Sequence, residues 1–328
     1  MKTKTIAVIS TFCVTLLLSS LAPSQTVETW DQGLFGPETT AKIINAKGQK
    51  RIEVKSPVTV QGIEVYGLGE IALDGKPITL GAGCNGTFNS ILVNSGDVTI
   101  HNKLINTQNK RITLGEKAQS LTLKGDIDTG GQTTQIGNLG TGVLTIYGDR
   151  TGGNSLYIRD GKVNAFGILS SRGEGKGNTV VRENGVLISS RQNGPTIESG
   201  SFGLVLLETG VFRLAAPNQI ASFINFAGGR LEMGGFTNDK PLVGNVRVTA
   251  DSVIDFSNPA AESLAIADVS GNTDWKAGAT LNIVGFSQGD TLRFGENGGA
   301  LTKDQLSAIK FDGKPAKIDA DGYLTPAP

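Results

Sequence analysis

The chain has 328 residues, with 30 Lys+Arg against 30 Asp+Glu, 45 glycines and aromatics at only 6%. Glycine at about twice its usual share of ~7% suits many turns and thin side-chain layers rather than a wide globular core. Zero formal charge, with neither sign gathered into a block, removes the usual electrostatic argument for nucleic acid or an anionic membrane as a partner.

The first element in chain order reads as a secretory signal over residues 1–24. Lys2 and Lys4 supply the positive end, Ile6 to Leu18 forms the apolar run, and Ala22-Pro23-Ser24 is a small-residue site with cleavage expected after Ser24. The run is shorter than the roughly 20 residues a comfortable membrane span needs. No later stretch reads as a membrane segment, so the expected location is outside the cytoplasm: extracellular, cell surface or periplasm. Cys13 leaves with the signal and lacks the small-residue approach of a lipid-attachment cysteine. Cys84 then stands alone as a small hydrophobe, and no intramolecular disulfide can form.

Residues 25–50 hold Trp30, Phe35 and Pro37 with little alternation and read as a cap closing the N-terminal end. From 51 to 288 the chain becomes a succession of short alternating apolar stretches separated by Gly, Asn, Asp and Ser. Examples are Ile71-Ala72-Leu73, Val98-Thr99-Ile100, Leu121-Thr122-Leu123, Leu144-Thr145-Ile146 and Leu281-Asn282-Ile283. Period-two alternation marks half-buried strands. A glycine followed by an apolar strand recurs at Gly142, Gly161, Gly185, Gly210 and Gly229, in steps of 19, 24, 25 and 19 residues. A repeat near twenty residues is the signature of a solenoid, in which one winding buries its inner face only by stacking on the next. The predicted fold is therefore all-β, a single-stranded parallel β-helix with capped ends; a β-sandwich or jelly roll is the runner-up. Residues 289–328 read as a C-terminal cap. Thr302 is the expected helix N-cap, Gln305 returns the capping-box bond, Leu301 and Leu306 form the staple, and the helix is expected to run to Lys310.

The chemical inventory is sparse. His101 is the only histidine, no Gly-x-Ser-x-Gly elbow accompanies it, and with Cys84 it falls short of a zinc ligand set. The serious enzymatic rival is polysaccharide cleavage, which needs paired carboxylates or an acidic cation cluster. Asp126 and Asp128, flanking Ile127, come closest to such a pair and read more simply as polar turn residues. Asp319-Ala320-Asp321-Gly322 reads as a hairpin turn rather than a calcium loop. "GEGKG" at 173–177 lacks the spacing of a phosphate loop. Trp275 reads as a packing residue; a glycan-binding module would instead lose saturable binding on Trp275→Ala. No residue is assigned to catalysis, a cofactor or a metal. The partner class left open is cell-surface glycans or matrix components.

Against this background, "GTGVLTIYGDRTGGNSLYIRDGKVNAFG" over 140–167, "NQIASFINFAGGRLEMGGF" over 218–236 and "ADSVIDF" over 250–256 resemble the autotransporter-associated β-strand repeat proteins of bacteria. The stretch 289–326 is similar to the segment preceding a PEP-CTERM-type sorting signal in many such proteins. The sequence departs from the family in carrying Asp149-Arg150-Thr151 at the repeat turn, and it does not carry the sorting sequence itself. The resemblance implies a passenger-type β-helix displayed on the cell exterior with a structural or adhesive role.

Overall fold

The computed structural model describes residues 13–15, 26–31, 34–45, 48–84, 88–169, 177–198, 203–242 and 246–328. The predicted signal lies outside them except for Cys13–Thr15, a short strand parallel to Thr40–Lys42.

The strands wind into a β-solenoid. Each winding contributes a strand to three longitudinal faces in turn, as in Thr40–Asn45, Gln49–Val54 and Val58–Val60, then Gly62–Gly67, Glu70–Gly75 and Ile78–Leu80. Each of these strands pairs in parallel with its equivalent one winding later. The apolar strands found by their glycine spacing are register partners: Leu144 with Val163, Val163 with Leu187, Leu187 with Phe212, and Phe212 with Leu231. The steps of 19, 24, 25 and 19 residues are thus the lengths of single windings. Facing antiparallel sheets, the runner-up, are not what forms.

Alternation explains why these residues make this shape. Gln49–Val54 is exposed at every odd position and buried at every even one, which places Ile52 and Val54 inside and Arg51 and Glu53 in water. Stacked windings then align like residues into interior columns. One runs through Ile91, Ile112, Ile136, Ile158, Val181, Leu206 and Phe226, all 0–1% exposed. Beyond residue 210 the columns turn aromatic: Phe256, Phe286 and Phe311 stack edge-to-face with centroids 5.3 and 4.9 Å apart.

Corners tolerate only certain backbones. At one corner Gly125, Gly148 and Gly167 form a column in which a Cβ on each would lie 2.1, 2.0 and 2.2 Å from the carbonyl oxygen of the winding before. A side chain there would hold the windings apart, so close stacking requires glycine. At another corner Asp160, Glu183 and Glu208 adopt left-handed backbone with φ of 52, 50 and 55°, an uncommon state for residues with a Cβ.

The ends differ from the expected boundaries. Parallel pairing reaches back through Thr40–Asn45 to Thr26–Trp30, which pairs with Lys50–Val54, so the first windings occupy the stretch assigned to a cap. At the other end Thr291–Phe294 and Ile309–Phe311 still stack in parallel. Only Lys314–Ile318 and Leu324–Pro326 turn antiparallel, a geometry that does not template another winding. The capping box of Thr302 and Gln305 forms, but the helix spans Lys303–Ala308 and stops short of Lys310. Ile309 leaves it as a strand because its partner Leu281 offers a parallel edge.

Candidate functional site

The polar residues singled out in the sequence serve the coil. Asp126 accepts a hydrogen bond on Oδ1 from the N–H of Asp149 at 3.0 Å, and Asp149 does the same for Ile168 at 2.7 Å. Each aspartate thereby ties its corner to the next winding. Asp128 pairs with Lys103 at 3.0 Å and accepts the Gly130 N–H at 3.0 Å. Partial burial pulls its carboxyl upward, yet the Gly130 N–H and the Lys103 ammonium outweigh this and hold it below the ordinary carboxylate range. A general acid needs the opposite displacement. The two aspartates are neighbours, but each has a structural partner.

His101 stands on an outer corner with Nε2 3.7 Å from Asp74, which also pairs with Arg51. Cys84 lies in the interior at 0% exposure, its Sγ 3.8 Å from the Ser90 carbonyl. Burial, then the nearby Glu64 charge, pushes its thiol up to about 12. Among the described residues no three of His, Cys, Asp and Glu converge as a metal site, and no helix is long and apolar enough to cross a membrane. Asp319 accepts the N–H groups of Asp321 and Tyr323, and Gly322 has a φ of 86°, so Asp319–Gly322 is a hairpin turn. Most of "GEGKG" lies outside the described residues.

Charged side chains on the outer faces bridge windings. Arg159 joins Gln135 and Glu183, Arg182 joins Glu208, and Arg230 joins Asp255. Individually such half-exposed pairs add little, whereas in series they fix register.

No family model, curated protein or solved structure matches this chain. Its own geometry is therefore the guide to its chemistry.

Several polar residues that the sequence did not single out are buried. Gln219, at 0% exposure, accepts from Ser189 Oγ, Thr196 Oγ1 and the Arg191 N–H while donating to the carbonyls of Arg191 and Pro217. Asn238, also 0% exposed, forms a two-way amide pair with the backbone of Ile220. Arg150 occupies the interior column of Val58, Ile78, Leu104 and Ile127. Its Nη1 donates to the Leu169 carbonyl at 3.0 Å, and burial lowers its guanidinium to about 10. Glu262, 1% exposed, accepts the Gly235 N–H on Oε1 and has no hydrogen-bond partner on Oε2.

A concavity of about 630 Å³ lies at the C-terminal end, between residues 270–280 and the cap helix. Trp275 lines it half-buried, packed on the core, its Nε1 donating to the Val246 carbonyl at 2.8 Å. Packing is the role expected of it, and it does pack on the core. Lys276, Thr273 and Asp304 surround it. About thirty residues separate Lys276 from Asp304, so only Trp275 signalled this place in the sequence.

Proposed function

We propose that the chain is an exported, non-enzymatic β-solenoid of the autotransporter-associated repeat kind, working as a rigid spacer or adhesive surface on the cell exterior. One observation carries the reading: the exposed polar side chains that resemble catalytic groups are engaged in holding one winding to the next. Asp126 caps the backbone of Asp149, Asp128 is neutralised by Lys103, and the arginines of the outer faces bridge consecutive windings. Groups fixed in this way suit a stiff rod. The lysine- and arginine-poor apolar run at the N-terminus supports export.

Two experiments test the parts separately. Fusing the chain to a reporter active only outside the cytoplasm, and sequencing the N-terminus of the recovered protein, should give reporter activity and a start at Gln25; an inactive fusion with an intact N-terminus refutes export. Incubating the purified protein with a panel of polysaccharides should yield no new reducing ends or unsaturated products. Turnover that disappears in Asp126→Asn or Asp128→Asn would replace this reading with that of a polysaccharide-active enzyme.

A further inference from the structure

The groove beside Trp275 combines engaged polar groups with three exposed ones. Gln305 is fully used: Nε2 donates to the carbonyls of Val269 and Asn272 at 2.9 Å, and Oε1 accepts the Thr302 N–H. Asn272 binds the Val246 carbonyl at 2.7 Å and accepts the Asp274 N–H, while Thr280 Oγ1 donates to Asp251. The floor and walls are thus locked. Three side chains stand apart, the Lys276 ammonium, the Asp304 carboxylate and the Thr273 hydroxyl, all exposed and without a side-chain partner among the described residues. Nearby, Arg247 is paired with Asp274 at 2.9 Å.

The indole contributes a second distinctive feature. Its Nε1 is held by the Val246 carbonyl at 2.8 Å, and the half-buried side chain packs on the core while lining the groove. An apolar aromatic body ringed by one donor cation, one acceptor anion and one hydroxyl suits a ligand with a C–H face and a rim of hydroxyls. That description fits a sugar ring. The ammonium and carboxylate cancel, which disfavours a strongly charged ligand. The volume of about 630 Å³ falls within the roughly 300–1,000 Å³ of small-molecule sites.

We infer that this groove binds a neutral saccharide, one or two hexose rings seated against Trp275 with hydroxyls bonded to Lys276, Thr273 and Asp304. The inference gives the adhesive reading a ligand class but stands on the groove alone, so its failure leaves the scaffold reading intact, and failed export leaves the groove intact.

The test uses the full chain and its own fluorescence. Only two tryptophans are present, and Trp30, at 1% exposure, lies at the far end of the coil. Titration with mannotriose, cellotriose, maltotriose and trigalacturonate should give a saturable emission change, mirrored in calorimetry, with at least one neutral trisaccharide. The Lys276→Ala/Asp304→Ala double variant, which removes two exposed side chains and leaves the coil's circular dichroism unchanged, should bind at least tenfold more weakly. Trp275→Phe should keep part of the affinity while losing the optical signal. No response to any neutral sugar at 10 mM would overturn the inference, as would binding of trigalacturonate alone or equal affinity in the double variant.

Discussion

Glu262→Gln offers the sharpest test of how the windings are held. Glu262 lies at a junction of three windings, where its Oε1 accepts the Gly235 N–H and its own N–H donates to Asp290 Oδ1 at 2.9 Å. Burial, with the charges of Asp290 and Asp255 adding to it against the Gly235 hydrogen bond, lifts its carboxyl from the ordinary 4.5 to about 7. The folded chain therefore keeps a proton that the unfolded chain releases between pH 4.5 and 7, and stability falls as pH rises through that window. A displacement from 4.5 to 7 corresponds to about 3 kcal/mol for a site sealed from water. Solvent screening of the neighbouring charges reduces the expected figure to about 1–2 kcal/mol. Glutamine keeps the acceptor for Gly235 and cannot ionise. In urea titrations followed by Trp275 fluorescence, Glu262→Gln should exceed the wild type by about 1–2 kcal/mol at pH 8 and match it near pH 4.5. Every other titrating group is common to both proteins and cancels in the difference. An offset that does not change between the two pH values, or a variant less stable at pH 8, refutes the reasoning.

Three further outcomes follow from the same geometry. Gly148→Ala would put a methyl 2.0 Å from the Gly125 carbonyl oxygen and should cost about 2 kcal/mol or more, read as a lower urea midpoint. Gln219→Ala should cost about 2–4 kcal/mol, since Ser189, Thr196 and the Arg191 backbone lose a common partner; a loss below 0.5 kcal/mol contradicts the role given to it. Cys84, with its thiol pushed up to about 12, should react with a disulfide reagent at pH 8 only after urea unfolding; fast labelling of the native protein would show that the site is open.

Much of the coil was legible because its signals are local and repeated. Leu144, Val163, Leu187, Phe212 and Leu231 each follow a glycine at winding intervals, and each aligns with the next. Thr302 with Gln305 and Asp319 with Gly322 were legible for the same reason, as single-turn motifs closed within a few residues. The third face was harder to read. Its strands shrink to Ile127–Asp128 and Arg150–Thr151, too short for alternation to reveal that Arg150 points inward. Gln219 and Glu262 resemble surface residues by type, and only the neighbouring windings make them interior. The N-terminal strands escaped because Thr26–Trp30 acquires its register from Lys50–Val54, a partner about twenty residues away. At the groove, Trp275 was visible but Asp304 was not linked to it until the cap helix folded over.

The winding length also sets how such a molecule would yield to force. Because each winding is bonded mainly to its two neighbours, a pull applied through the chain ends peels them off one by one instead of shearing the whole stack. Release of each winding between Leu144 and Leu231 frees 19 to 25 residues, or about 65–85 Å of slack at the contour length of an extended chain. A tether built this way dissipates a sudden load in many small steps.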